Sequence, residues 1–212
     1  MDIHRLINKF RRNFRDYGLT ITLRKAMGQM FGFLYDSKEY RIYMVDLRKC
    51  NPERREGGEF LYRLITPDDL DYIRQIESME EWLEGEVVNK LSKGGICLVA
   101  MMNGKMAGFN IASFGEVEMP LVKVKRAFRK GEAWSEQITV SKEYRGKGLG
   151  TEIRFRMFDE LKKRRFVKFY GGTLSNNKAN LQLSRKVGFK EIADIRYSQC
   201  FTKKRWSCRR AR

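Results

Sequence analysis

The first segment with a clear hydrophobic pattern covers residues 1–17, where apolar side chains recur at helical spacing and Lys and Arg occupy most of the other faces. The apolar positions are Ile3, Leu6, Ile7, Phe10, Phe14 and Tyr17. This pattern predicts a basic amphipathic helix, and a second helix is expected over residues 19–35, weakened by two internal glycines. Such helices can pack on their own domain or lie on an anionic membrane surface, and both interpretations stay open.

Beyond these helices, short apolar runs alternate with acidic, helix-like segments. Residues 40–47 predict a strand, and the polar stretch 48–59, with one proline and two glycines, is typical of a linker. We therefore expect an N-terminal extension over residues 1–56 and a main domain over residues 57–212. A strand ending at Thr66 follows the linker, and Thr66 is expected to cap the first of two acidic helices.

The rest of the main domain shows strands and helices in turn. Residues 96–115 predict a β-hairpin, because Asn103-Gly104 supplies the positive φ angles of a two-residue turn between two apolar runs. Residues 116–132 are expected to be irregular and basic. There follow a strand over 133–140, a helix over 151–165, a strand over 166–174, a helix over 177–187 and one or two strands up to residue 201.

The composition narrows the class of protein. A hydrophobic fraction of 42% and an aromatic fraction of 12% are ordinary for a folded chain. No apolar run is long enough to span a bilayer and no secretory signal is evident, so we expect a cytoplasmic location, with peripheral membrane contact through the N-terminal helix as an option. The four cysteines are scattered and His4 is the only histidine, which disfavours a zinc site or a histidine-based triad.

The charge is large and unevenly distributed. The net charge is +18, and residues 121–212 alone carry 26 Lys and Arg against 8 Asp and Glu. A basic half of this kind favours a polyanionic partner, although it can also be a basic surface in contact with solvent only.

A glycine-rich turn lies inside this basic half, between the predicted strand and helix. It reads YRGKGLGT over residues 144–151. A sharp turn from a strand into a helix leaves backbone N–H groups unpaired at the positive end of the helix dipole, an arrangement that binds phosphate. Arg145 and Lys147 add full charges. The glycine spacing is neither that of a P-loop nor that of a dinucleotide-binding GxGxxG.

The residues around the turn carry a family resemblance. ITVSKEYRGKGLGTEI resembles the acetyl-coenzyme A loop of the GNAT superfamily of N-acetyltransferases, and NNKANLQLSRKVGF is similar to the closing signature of that family, here with Asn177 and Gly188-Phe189. The resemblance covers about residues 60–201. It implies an α/β fold with a mixed, mostly antiparallel central sheet flanked by helices, preceded here by the N-terminal helical extension.

The resemblance also implies a donor and the residues that hold it. The donor would be acetyl-coenzyme A, with no metal. Backbone groups of Ile138, Thr139 and Val140 would pair with the pantetheine arm as a neighbouring strand does, and Asn177 would add a side-chain contact. The diphosphate would be held by the amides of Arg145, Gly146, Lys147, Gly148, Leu149, Gly150 and Thr151.

The catalytic residues are less clearly marked. In this family a carboxylate commonly takes the proton of the amine; Glu136 is the first candidate for this base and Glu132 the second. The family's second helix commonly carries a tyrosine that protonates the departing thiolate, and Ser184 stands at that position here. Serine is a far weaker acid, so Tyr170 or Tyr144 are alternatives for the role.

For the acceptor, the sequence offers only the distribution of charge and the amphipathic N-terminus as guides. The acidic helices suit a cationic amine, whereas the basic surplus suits an anionic or membrane-attached acceptor. Our first hypothesis is acetylation of an amino sugar, free or linked to a nucleotide or lipid, and the second is acetylation of a protein amino group. A basic nucleic-acid-binding module without catalysis, and a cofactor-binding protein without catalysis, are further alternatives.

Overall fold

The computed structural model describes residues 35–50, 59–119 and 122–211, so both predicted N-terminal helices, and with them the expected membrane contact, lie outside the described residues. The strands are β1 Tyr35–Asp46, β2 Leu61–Ile65, β3 Ile96–Met102, β4 Lys105–Ser113, β5 Glu116–Met119, β6 Val124–Ala127, β7 Glu132–Val140, β8 Lys168–Leu174, β9 Lys190–Cys200 and β10 Lys203–Arg210. The helices are α1 Leu70–Met79, α2 Glu86–Ser92, α3 Leu149–Lys163 and α4 Lys178–Lys186.

Eight of these strands form one central sheet in the order β10-β9-β1-β8-β7-β4-β3-β2, while β5 and β6 form a separate hairpin. Every pair in the central sheet is antiparallel except β7 with β8. The predicted α/β class with a mixed, mostly antiparallel sheet is therefore confirmed. Within the described residues, no helix is long and apolar enough to cross a bilayer.

Strand β1 lies inside the sheet, between β8 and β9. It pairs antiparallel with β8 from Tyr40↔Leu174 to Asp46↔Lys168 and with β9 along most of its length. The division between residues 56 and 57 stays a prediction, but the strand before it is an inner strand of the central sheet. Alternating apolar residues predict that a strand exists; they do not say which neighbours it takes.

The two faces of the sheet are covered by different helices. Helices α3 and α4 cover one face, and α1, α2 and the β5–β6 hairpin cover the other. The α3 face is filled by Leu149, Ile153, Met157, Phe158, Leu161, Phe169 and Phe189. The opposite face is filled by Ile73, Ile76, Val87, Val99, Phe109 and Ile111, and near the hairpin by Tyr40, Val117, Phe128, Trp134 and Tyr197. Each such buried side chain contributes roughly 1.5–3 kcal/mol to folding.

Two local predictions differ from the structure. Helix α1 begins at Leu70, not directly after Thr66. The carboxylate of Asp69 accepts hydrogen bonds from the Thr66 amide at 2.8 Å and the Thr66 hydroxyl at 2.9 Å, and this closes a turn ahead of the helix. The segment 116–132, expected to be irregular, contains the β5–β6 hairpin, whose apolar side chains pack on the sheet.

A pair of glycines in β8 makes room for two tyrosines of β1. Tyr43 pairs with Gly171, and a Cβ atom placed on Gly171 would lie 2.5 Å from Cε2 of Tyr43. A Cβ atom on Gly172 would lie 2.3 Å from Cε1 of Tyr40. Both rings therefore lie over the backbone of β8, which only a strand without side chains at these positions permits.

This close approach leads to a prediction about the stability of a Gly171 variant. The substitution Gly171→Ala should lower the free energy of unfolding by about 1–3 kcal/mol, because the new methyl group overlaps a buried ring that cannot swing away. In a Tyr43→Ala background the same substitution should cost much less, and denaturant unfolding of the four proteins gives the coupling energy. Equal costs in both backgrounds would contradict the role assigned to Gly171.

Candidate active site

The parallel strands β7 and β8 pair over three residues and then separate. Pairing runs from Glu132↔Lys168 to Trp134↔Tyr170. Beyond that point β7 keeps its partner β4 as far as Val140, and β8 keeps its partner β1 as far as Leu174. The gap between the two strands opens into a cleft of about 970 Å³. One edge of β7 thus faces the cleft with no strand beside it.

A β-bulge marks the point where the cleft begins. Opposite β4, Ile111 pairs with Gln137 and Ala112 pairs with Ser135, so Glu136 is an extra residue. Asn110 holds the bulge from β4, because its side-chain amide donates to the carbonyl oxygen of Gln137 at 2.7 Å. A bulge increases the local twist of a strand, which turns β7 away from β8.

The glycine-rich turn closes one end of the cleft. Its amides from Gly146 to Gly150 donate to no acceptor among the described residues, whereas the Arg145 amide donates to Lys142 O at 3.4 Å and the Thr151 amide to Gly148 O at 3.0 Å. Gly148 has φ of 86° and directly precedes α3, with no side chain capping that helix. Five free amides thus lie at the positive end of a 15-residue helix, an arrangement that favours a bound anion.

Asn177 lies at the start of helix α4, next to the cleft. Its Oδ1 accepts a hydrogen bond from the Asn180 amide at 3.1 Å and so caps α4. Asn177 and the first turn of α4 line the cleft opposite the glycine-rich turn. The closing signature seen in the sequence therefore starts a helix that forms part of the cleft wall.

Glu136 lies in the cleft with a lysine beside it. The Glu136 side chain is 5% exposed, and its carboxylate is 3.3 Å from Nζ of Lys90. A second carboxylate in the cleft is Glu80, which accepts from the Thr139 hydroxyl at 2.8 Å and from the Gln137 side-chain amide at 3.3 Å. Sequence reasoning missed Glu80, because it is one of several acids in a run and nothing local distinguishes it.

Glu132 and Tyr170 are joined to each other outside the cleft. The Tyr170 hydroxyl donates to Glu132 Oε1 at 3.0 Å, and neither residue lines the cleft. Burial acts to raise the pKa of Glu132, but hydrogen bonds from the Arg129 amide and Tyr170, together with the charge of Lys168, leave it below its usual range. This pair links the shared start of β7 and β8.

The structure brings most of the predicted site residues together. Those that line the cleft are Glu136, Ile138, Thr139, Val140, Arg145, Gly146, Gly148, Leu149, Gly150, Thr151 and Asn177. Lys147 does not line the cleft, and its Nζ lies 5.6 Å from the centre of the Tyr144 ring. Ser184 is 3% exposed and does not line the cleft, and its hydroxyl lies 3.5 Å from Asn180 Oδ1.

Two buried residues in the cleft wall were not predicted. Tyr43 reaches the cleft from β1, and burial raises the pKa of its hydroxyl while Arg154 and Ser184 act to lower it. Arg154 reaches it from α3, and burial lowers the pKa of its guanidinium to about 10. A signal for Arg154 existed: with Gly150, Met157 and Leu161 it falls on one stripe of the helix. Within the described residues, no cluster of His, Cys, Asp and Glu suited to a metal occurs.

Comparison with known proteins agrees with this geometry. A family model described as the acetyltransferase (GNAT) family matches residues 59–189. No curated protein matches the chain at a significant level.

Solved structures show the same fold at low identity. One is a GCN5-related N-acetyltransferase from Sphaerobacter thermophilus, with a TM-score of 0.58, 14% identity, and coverage of 84% of this chain and 56% of that chain. Another is the glucosamine N-acetyltransferase region of a fungal multi-domain β-N-acetylglucosaminidase, with a TM-score of 0.59, 18% identity, and coverage of 82% and 22%. A third is a tandem GNAT protein from the clavulanic acid biosynthesis pathway, with a TM-score of 0.55, 15% identity, and coverage of 83% and 54%. This chain therefore spans about half or less of each of these three proteins.

The cap of α4 allows a stability prediction. Replacing Asn177 by Ala removes the acceptor for the Asn180 amide and should lower the free energy of unfolding by about 1 kcal/mol, whereas Asn177→Asp retains an acceptor and should cost much less. Thermal or urea unfolding of both variants measures the difference. Equal losses in the two variants would show that the cap contributes little.

Proposed function

The chain belongs to the acetyltransferase (GNAT) family, and from that premise we propose that it transfers the acetyl group of acetyl-coenzyme A to a primary amine. The acceptor that we propose first is an amino sugar. The observation that carries the proposal is the cleft between β7 and β8, with the free amides of Gly146–Gly150 at one end and the carboxylate of Glu136 beside the bulge. Each feature alone is common, but one cleft contains both an anion-binding turn and a proton acceptor.

The residues present fit the donor. The free amides from Gly146 to Gly150 supply hydrogen-bond donors for a diphosphate, and Arg145 adds charge at the same turn. The Nε of Arg145 donates to the Val140 carbonyl at 3.0 Å, which anchors the turn to the end of β7. The open edge of β7 over residues 138–140 supplies backbone groups for an extended amide-containing arm. Bound there, acetyl-coenzyme A would supply the activated acetyl thioester.

The acceptor half of the cleft suits a cationic amine with an apolar face. Glu80 and Glu136 provide two carboxylates, and Trp82, whose side chain is 47% exposed, lies with them along the cleft. The face of a sugar ring packs well on an aromatic ring, and the carboxylates attract a protonated amine. Lys38 also lines the cleft and suits an acidic substituent such as a phosphate.

Glu136 is the proposed proton acceptor. The amine must lose a proton as its nitrogen bonds to the acetyl carbon, and the Glu136 carboxylate takes that proton directly or through one water. Its low exposure removes competing water from the site, and the nearby Lys90 provides a counter-charge. Thr139 and Gln137 hold Glu80 in place, which leaves Glu80 as a binding group.

The basic edge strand supports a second candidate function, nucleic-acid binding. All eight residues of β10 are exposed, five of them are Lys or Arg, and none of those five forms an ion pair with another described residue. Single-stranded RNA binding that weakens steeply with salt, in a protein that does not bind coenzyme A, would favour this candidate over the acetyltransferase. Coenzyme A binding in a protein that does not bind single-stranded RNA would reject it.

Donor binding is tested at Gly148. A Cβ atom there meets nothing within 4 Å, so the ring of Gly148→Trp has room in front of the free amides, and the cost of placing a side chain at φ of 86° is the part of the effect that a control must match. The dissociation constant for coenzyme A should rise at least tenfold, about 1.4 kcal/mol, as measured by calorimetry. Gly104→Trp is the matched control, since Gly104 also has positive φ and open space but lies in the β3–β4 turn. Equal affinity in both variants would contradict the assigned binding site.

Catalysis is tested at Glu136. The substitution Glu136→Gln should lower kcat by about 10²–10⁴-fold and leave the KM for acetyl-coenzyme A nearly unchanged, because the amide cannot accept the proton. Release of free thiol with a panel of amino sugars, nucleotide-linked amino sugars and lysine peptides measures activity and identifies the acceptor class. Glu132→Gln, outside the cleft, is the control and should retain activity. A fully active Glu136→Gln enzyme would sink this assignment.

A further inference from the structure

Arg154 is the one buried Lys or Arg in the part of the chain that the structure describes. It is 1% exposed and yet lies in the wall of the cleft. Burying an unpaired charge is strongly unfavourable unless nearby groups compensate it. A cation in such a position therefore calls for an explanation from its surroundings.

The surroundings of Arg154 compensate its charge only in part. Its Nη1 donates to Ser135 Oγ at 2.6 Å and to Asn110 Oδ1 at 3.2 Å. The rings of Phe169 and Phe189 lie 5.7 Å from its guanidinium carbon. Its Nε has no partner, and no carboxylate of the described residues forms an ion pair with it. The site thus holds a positive charge and has no resident anion.

The guanidinium of Arg154 lies at the end of the cleft that is farther from the glycine-rich turn. Residue 154 is one helical turn beyond Gly150, and its guanidinium reaches Ser135, just before the bulge. A donor whose diphosphate lies at the turn and whose arm follows β7 from Val140 towards Gln137 would bring its thioester to this end. The buried cation then lies on the donor face of β7, while the Lys90-paired side chain of Glu136 serves the acceptor side.

Tyr43 adds a hydroxyl to the wall of the same cleft. Its phenol is 2% exposed, lines the cleft, and lies 3.5 Å from Asn180 Oδ1, the atom that Ser184 also approaches at 3.5 Å. The contact of the phenol with Asn180 is long, so this hydrogen bond is weak. Tyr43 therefore stands beside Ser184, where the family resemblance predicts an acid that serine supplies poorly.

We propose that Arg154 and Tyr43 together stabilise the negative charge that develops on the sulfur of coenzyme A during acetyl transfer; this rests on the proposed function. As the amine nitrogen bonds to the carbonyl carbon, the carbon–sulfur bond breaks and its electron pair stays on sulfur. The guanidinium faces that charge and the Tyr43 hydroxyl donates a hydrogen bond to it. The thiolate later takes a proton from solvent, and Glu136 returns to solvent the proton that it accepted from the amine, so neither Arg154 nor Tyr43 changes its protonation state.

The pKa of the coenzyme A thiol, bound to the full-length protein, tests the proposal without turnover. The difference in ultraviolet absorbance between complexes with coenzyme A and with desulfo-coenzyme A reports the thiolate and cancels the absorbance of tyrosines. On the wild-type protein the thiol should be at least tenfold more acidic than free coenzyme A, which corresponds to one pKa unit. Arg154→Met should remove most of this shift, Arg154→Lys should keep part of it, and Tyr43→Phe should remove a smaller part.

Tyr40→Phe is the matched control. Tyr40 also lines the cleft from β1 but packs on the opposite face of the sheet, so the bound thiol should keep its wild-type acidity. Bound coenzyme A with the acidity of the free thiol, or an unchanged acidity in both Arg154→Met and Tyr43→Phe, would overturn this proposal alone. Failure of the wild-type protein to bind coenzyme A would overturn the proposed function and this inference with it.

Discussion

The separation of β7 from β8 after three paired residues is the constraint on which the rest of the site depends. Paired strands leave no room between them, and the cleft exists because β7 turns away at the bulge around Glu136. Asn110 holds this bulge from β4, and Arg154 holds it from α3. The open edge of β7 and the position of the Glu136 carboxylate at its bulge both follow from that one departure from regular pairing.

The inserted strand β1 completes the cleft from the other side. One edge of β8 faces the gap, and its other edge would also be open if no further strand paired with it. Strand β1 covers this other edge, because it pairs with β8 as far as Leu174. The same strand sends Tyr40 to one face of the sheet and Tyr43 to the other, past the two glycines of β8. A segment outside the matched family region thus supplies two of the aromatic residues that line the cleft.

The positively charged side chains of the protein lie in two different environments. Most of the Lys and Arg residues that the structure describes lie at the surface, where water screens them and where they act on the approach of anionic molecules. Arg154 lies where water is excluded, and there a single charge has a much larger effect. The large net charge of the chain therefore says little about the chemistry of the cleft, which depends more on the single buried guanidinium of Arg154.

The sequence by itself determined the local elements and the glycine-rich turn, because these depend on neighbours in the chain. Hydrophobic spacing predicted the β3–β4 hairpin and α3, and the glycines around Lys147 predicted a turn with free amides, since such features are set within about ten residues. Only the tertiary structure decided that β1 is an inner strand, that Tyr43 and Arg154 line the same cleft, and that Glu80 shares that cleft with Glu136. These are contacts between residues far apart in the chain, and they depend on which strands pair and where pairing stops, which no local pattern encodes.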